Sequence, residues 1–106
     1  MTIIESNDNE LRKLILDKER VIVKFTDKDC PVCKALSPAF NEFASDPANE
    51  AITFVRMDAK ENPVSSKEVK MSGTPFFATY KNGTLQDCGI VSTEEGLRDL
   101  LQKLLQ

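Results

Sequence analysis

The fold is decided by residues 21–33, which read VIVKFTDKDCPVC. Four of the first six of these residues are β-branched, and the run is almost continuously apolar, which is typical of a central strand that is buried on both faces. A helical pattern follows Cys33, so Cys30 and Cys33 lie where a strand passes into a helix. Unpaired helix amides and the positive end of the helix dipole favour the thiolate of the first cysteine, and the thiolate is the nucleophile. This stretch therefore predicts dithiol chemistry, with Cys33 one turn inward to resolve a mixed disulfide.

The composition limits the class of protein. With 106 residues, 41% of them hydrophobic, the chain is long enough for a single domain over residues 1–106 whose core needs no metal or structural disulfide. Acidic and basic residues are interspersed and give a net charge of -3, so nothing indicates nucleic acid or a membrane as a partner. The first residues do not resemble a secretory signal, and three cysteines are typical of a redox pair in a reducing compartment. We therefore expect a cytoplasmic protein.

The remaining sequence alternates helix and strand patterns and then changes to antiparallel pairing. Asn7 or Asp8 is the predicted N-cap of the first helix. Asn82-Gly83 lies between two strand-like runs, which is a strong hairpin signal. The predicted elements are a helix over 9–17, a strand over 21–26, a helix after the cysteines that contains Pro38, a strand over 52–57, a short helix from 62, strands over 75–80 and 85–91, and a helix from 93 onward.

Several motifs, taken in order, resemble the thioredoxin family across essentially the whole chain. The motifs are Phe25 followed by Cys-Pro-Val-Cys at 30–33 and by Pro38, then Met57-Asp58 with Glu61-Asn62-Pro63, then Gly73-Thr74-Pro75, and finally Tyr80-Lys81-Asn82-Gly83. The resemblance implies an α/β thioredoxin fold, with a central mixed β-sheet of four to five strands flanked by four helices.

The resemblance also implies a mechanism and a set of site residues. Cys30 would attack a substrate disulfide and Cys33 would resolve the covalent intermediate. Pro75 would be a cis-proline, Thr74 would offer backbone atoms to an extended substrate strand, and Gly89 would belong to a third loop of the substrate groove. The implied protein is a monomer that needs no bound cofactor. It acts on protein disulfides and takes its electrons from a separate reductase.

Three departures from the family pattern surround the cysteines. Asp29 replaces the tryptophan that usually precedes the first cysteine, and Pro31-Val32 replaces Gly-Pro between the cysteines. Pro31 suits a first helical turn, whereas Val32 adds stiff β-branched bulk. Lys24 falls where the family buries an acid. If the ammonium of Lys24 lies near Cys33, it would stabilise a Cys33 thiolate, whereas burial would push the lysine toward a neutral amine that could act as a base. In a third interpretation the stem of Lys24 packs and its ammonium reaches solvent.

Alternatives to the redox interpretation remain open at this stage. The fold could be kept as a partner-binding module with weak or no turnover, because Asp29 and Lys24 replace the usual surroundings. A zinc site is disfavoured because the chain has no histidine and only one further cysteine, Cys88. For Cys88 itself we favour a small core residue on the last strand, and the sharper alternative is a regulatory thiol beside the groove.

Overall fold

The computed structural model describes residues 3–106 of the chain. The strands in that part are β1 (Ile4–Glu5), β2 (Arg20–Thr26), β3 (Thr53–Asp58), β4 (Phe76–Lys81) and β5 (Thr84–Ile90). The helices are α1 (Leu11–Asp17), α2 (Pro31–Ser45), α3 (Pro63–Glu68) and α4 (Glu94–Leu105), with one turn of 3-10 helix at Pro47–Asn49. Each predicted helix and strand is present, and β1 and the 3-10 turn are additional.

The strands form one mixed sheet in the order β1-β3-β2-β4-β5. β3 pairs in parallel with β1 and β2, while β4 pairs antiparallel with β2 and β5. β2 is therefore the central strand, as its apolar run predicts. The mixed sheet and its α/β surroundings confirm the expected fold class.

The core has two parts because alternate residues of β2 point to opposite faces of the sheet. Val21 and Val23 pack in a cluster that includes Leu11 and Ile15 of α1. Ile22 packs on the other face with Phe40 of α2 and with the leucines of α4, which are Leu97, Leu101 and Leu104. Residues 21–25 of β2 are all at most 1% exposed, so this strand fixes the position of whatever follows it.

The predicted hairpin is present and directs the chain back toward the cysteines. Lys81 pairs with Thr84, so the turn holds two residues, and Asn82 and Gly83 both adopt positive φ angles of 53° and 82°. This backbone matches the twist of the paired strands and explains the Asn-Gly signal.

Of the two predicted caps of α1, Asn7 makes the capping contacts and Asp8 does not. Glu10 directly precedes α1 and forms no side-chain cap, whereas Asn7 Oδ1 accepts hydrogen bonds from the amides of Asn9 and Glu10 at 2.9 and 3.1 Å, and the Asn7 carbonyl accepts one from the Leu11 amide. Asp8 instead accepts hydrogen bonds from the amides of Val64 and Ser65 in the first turn of α3. A carboxylate thus stabilises the helix across 56 and 57 residues of sequence.

Candidate active site

Cys30 and Cys33 form a disulfide at the start of α2. Their Cα atoms lie 5.2 Å apart, within the usual range for bonded cysteines. Cys30 is the N-cap of α2, and its sulfur accepts a hydrogen bond from the Cys33 amide at 3.1 Å. Pro31 follows at the first helical position, where its missing N–H costs nothing. A negative charge on Cys30 would meet both this amide and the helix dipole, as the sequence predicts.

The two cysteines differ in their exposure to solvent. Cys30 is 8% exposed and Cys33 is 2% exposed, and the intervening Val32 is 41% exposed. The first cysteine of the pair is therefore the more accessible, and an apolar side chain stands beside it. This arrangement suits attack at Cys30 followed by an internal reaction from Cys33.

The sheet brings the predicted groove residues to the same end as the cysteines. Phe25 at the end of β2 pairs with Phe76 at the start of β4, and Phe76 pairs with Ile90 at the end of β5. The Thr74-Pro75 peptide bond immediately precedes β4 and is cis, which confirms the expectation for Pro75. Gly89 precedes Ile90 in β5. The two predicted groove segments, Thr74-Pro75 and Gly89, therefore lie at the same end of the sheet as the end of β2, from which the chain continues to Cys30.

Lys24 is the most unusual residue at this site. The side chain is 1% exposed, and its Nζ donates to the Cys33 carbonyl at 3.1 Å and to Ser37 Oγ at 3.2 Å. The Nζ also lies 5.4 Å from the centre of the Phe40 ring. Burial, together with the Arg56 guanidinium, lowers the pKa of Lys24 to about 8. The interpretation in which the ammonium reaches solvent is wrong, because the strand carries the side chain under α2.

The acidic residues before Cys30 are partly neutralised by a residue that the sequence does not place there. Lys60 Nζ lies 3.5 Å from the Asp27 carboxylate and 3.9 Å from the Asp29 carboxylate. The Asp29 amide donates to Asp27 at 3.0 Å, and this bond and the Lys60 ammonium lower the pKa of Asp27. The Asp29 side chain is 90% exposed, so solvent screens its effect on Cys30.

Cys88 is exposed, which contradicts its interpretation as a small core residue. It pairs with Ala78 across β4 and β5. β5 is an edge strand, and each of its residues is exposed or half-buried. An apolar residue on an edge strand is buried only where a helix covers it, and sequence pattern alone does not report that cover. The regulatory role of Cys88 stays a prediction.

Two further questions from the sequence concern metals and membranes. Between residues 3 and 106, no three His, Cys, Asp or Glu side chains are grouped so that they could hold a metal ion. Within the same part of the chain, no helix has the length and apolar character needed to cross a membrane.

A Cys-x-x-Cys disulfide at a helix start, with the first cysteine more exposed than the second, is suited to thiol-disulfide exchange. The protein is a thiol-disulfide oxidoreductase, and the comparisons with known proteins agree. The thioredoxin family model matches residues 2–105, and the chain therefore belongs to the thioredoxin family. It is 30% identical to thioredoxin of Coprinus comatus over 105 residues, which cover 99% of each chain. It is 26% identical to thioredoxin 1 of Plasmodium falciparum, with 97% of each chain covered.

The solved structures give the same family. The oxidised mitochondrial thioredoxin 3 of Saccharomyces cerevisiae superposes with a TM-score of 0.88 at 26% identity, with 96% of this chain and 95% of that chain covered. Thioredoxins act on disulfide substrates and are reduced by reductases. The thioredoxin fold and the Cys-x-x-Cys disulfide that the sequence predicts are thus confirmed.

Proposed function

We propose that Cys30 is the attacking thiolate, that Cys33 is the resolving thiol, and that the substrates are protein disulfides. In the first step the Cys30 thiolate bonds to one substrate sulfur, and the other substrate sulfur leaves as a thiolate that takes a proton from water. In the second step the Cys33 thiolate attacks Cys30, and the first substrate sulfur leaves. Two electrons pass from the dithiol to the substrate, and a separate reductase returns them.

The single observation that carries this assignment is the hydrogen bond from the Cys33 amide to Cys30 Sγ at 3.1 Å. It places a donor at the sulfur that is more exposed and keeps Cys33 one turn deeper in the helix. A thiolate accepts such a bond more strongly than a thiol does, so the bond lowers the energy of the reactive form.

Substrate docking is proposed at the sheet edge formed by Thr74, Pro75 and Gly89. Gly89 supports this assignment because the fold does not require a glycine there. A Cβ built at this position meets no heavy atom within 4 Å. The open space beside Gly89 leaves room for an extended substrate segment to approach the backbone. We further propose that residues 1–106 act as one domain, as a monomer, in the cytoplasm.

Replacing Cys33 with serine is expected to trap protein substrates as mixed disulfides, because the Cys30 adduct then lacks its resolving thiol. The experiment uses a tagged Cys33→Ser chain that also carries Cys88→Ser. Captured proteins are separated on non-reducing gels and released with reductant. The matched control adds Cys30→Ser and should capture nothing covalently. If the trapping chain and the control give the same pattern, the substrates are not attacked by Cys30.

Replacing Gly89 with alanine is expected to raise KM for a protein disulfide roughly three- to tenfold with little change in kcat, because the methyl group enters the docking space. The free energy of unfolding should stay equal or rise by about 0.5 kcal/mol, since alanine is better than glycine in a strand. Steady-state kinetics and urea unfolding measure the two effects. Cys88→Ala is the matched control because its side chain points to the other face of the sheet. Unchanged kinetics in Gly89→Ala would remove this residue from the docking surface.

A further inference from the structure

Lys24 carries a buried charge for which the described structure supplies no counter-charge. Its two hydrogen-bond acceptors are a carbonyl and a hydroxyl, both neutral, and the ion pairs found among residues 3–106 do not include it. A buried ammonium without an anionic partner costs free energy. The fold nevertheless holds this side chain at 1% exposure. A role in a state that contains a nearby anion would explain why the charge is retained.

Cys33 is the group beside Lys24 that becomes an anion during the reaction. Nζ lies 3.1 Å from the carbonyl oxygen of Cys33, so the ammonium is hydrogen-bonded to the residue that carries the resolving sulfur. In the disulfide that sulfur is neutral, and in the resolving step it must become a thiolate. The charge needed to stabilise the thiolate is thus already in place before the thiolate forms.

We propose that Lys24 is a positioning residue that supplies the buried counter-charge of the Cys33 thiolate in the resolving step. This proposal rests on the assigned roles of Cys30 and Cys33. In that step Cys33 loses its proton to water, and its thiolate bonds to Cys30 Sγ. The bond between Cys30 and the substrate breaks, and the substrate thiolate takes up a proton. Lys24 stays protonated throughout and bonds no reacting atom.

Lys24 is hydrogen-bonded to the Cys33 backbone, and other charged groups lie around it. Arg56 of β3 pairs with it in register but forms an ion pair with Glu5, and Phe77 of β4 pairs with it on the other side. From α2, the groups around Nζ are Cys33, Ser37 and Phe40. A cleft reaches Cys33 and Ser37, and its other lining residues are Thr26, Asp27, Lys28, Lys34, Arg56 and Asp58. The charges around this cleft are of both signs, whereas the buried Lys24 ammonium is hydrogen-bonded to two of its lining residues, Cys33 and Ser37.

The sign of the pH dependence follows from the two titrations. With its pKa at about 8 in the oxidised protein, Lys24 is mainly an ammonium at neutral pH. In the reduced protein the thiolate and the ammonium stabilise one another. The ammonium therefore lowers the pKa of the Cys33 thiol, and the thiolate raises the pKa of Lys24. The effect of Lys24 should vanish at acidic pH, where Cys33 is a thiol. It should also fade well above the pKa of Lys24, where the amine is neutral.

The test measures ionisation of Cys33 directly in a chain carrying Cys30→Ser and Cys88→Ser, which leaves Cys33 as the single thiol. Thiolate absorbance is followed against pH with Lys24, Lys24→Met and Lys24→Arg. Lys24→Met should decrease the acid dissociation constant of Cys33 roughly three- to tenfold, and Lys24→Arg should restore most of the change. Arg56→Met is the matched control and should change the constant less than about twofold, because Arg56 is half-exposed and ion-paired.

A second readout uses the intact dithiol in equilibrium with glutathione. Near pH 8, Lys24→Met should favour the disulfide over wild type by at most the same factor as the change in the Cys33 dissociation constant, and the two curves should converge at acidic pH. Circular dichroism shows whether the variants are folded, and Lys24→Gln replaces Lys24→Met if the latter is not. An unchanged Cys33 ionisation in a folded neutral variant overturns the proposal, as does an equal shift in Arg56→Met. If the wild-type disulfide does not exchange with glutathione at all, the assigned cysteine roles fail instead.

Discussion

Replacing Cys30 with serine is expected to lower the rate of insulin disulfide reduction by at least about three orders of magnitude. The serine hydroxyl is not ionised at neutral pH and cannot form the mixed disulfide, so both steps of the exchange are lost. The fold should remain, because serine is a good N-cap and its Oγ can accept the Cys33 amide hydrogen bond that Cys30 Sγ now accepts. The reduced variant should therefore unfold within about 1 kcal/mol of reduced wild type.

Precipitation of reduced insulin, coupled to a constant supply of reductant, measures this effect. Cys88→Ser is the control for general loss of a thiol and should keep the wild-type rate, because Cys88 lies on the exposed edge strand. Equal rates in wild type and Cys30→Ser would favour the alternative function, a partner-binding module that keeps the fold without turnover. If these rates are equal and Cys33→Ser also traps no adducts, the protein is a partner-binding module.

The central part of the fold was predictable because its signals are local and strong. The run over residues 21–26 is almost continuously apolar, which is typical of a strand that is buried on both faces. Asn82-Gly83 is equally local, since the turn needs two positive φ angles at adjacent residues. β1 carried no such signal, because its two residues, Ile4 and Glu5, are both exposed and are placed by pairing with β3.

Site residues that are neighbours in the sequence could be predicted. Contacts between residues that are distant in the sequence and are brought together by the sheet could not. The cysteine pair and its helix start could be read directly, whereas Lys60 reaches Asp27 and Asp29 only because β3 lies beside β2. Ser37 had a usable signal, as it lies four residues after Cys33 and so on the same face of the helix. The burial of Lys24 depends on α2 covering the sheet at that point. The prediction of a buried Cys88 was wrong because this residue is exposed on an edge strand.

Replacing Phe40 with alanine is expected to cost about 3–5 kcal/mol of unfolding free energy. Phe40 is 1% exposed, and its ring centre lies 5.4 Å from that of Phe54 and 5.8 Å from that of Phe77. These contacts join α2 to β3 and β4, so the cavity would open between the helix that carries the cysteines and the sheet. Because small domains are stable by only about 5–15 kcal/mol, the variant loses a large part of its stability.

Urea unfolding of the oxidised protein measures the loss, with Phe43→Ala as the matched control. Phe43 lies three residues further along α2 and is only partly buried, with Arg98 over its ring at 5.6 Å. Its truncation should cost roughly 1 kcal/mol, because less apolar surface returns to water and solvent can fill the gap. Equal losses in the two variants would show that α2 is not anchored through Phe40.

The ring of Phe40 also lies under the Lys24 ammonium. In a folded Phe40→Ala chain the ammonium would lose one of its three contacts, the other two being Cys33 and Ser37. The ionisation of Cys33 should therefore shift as well.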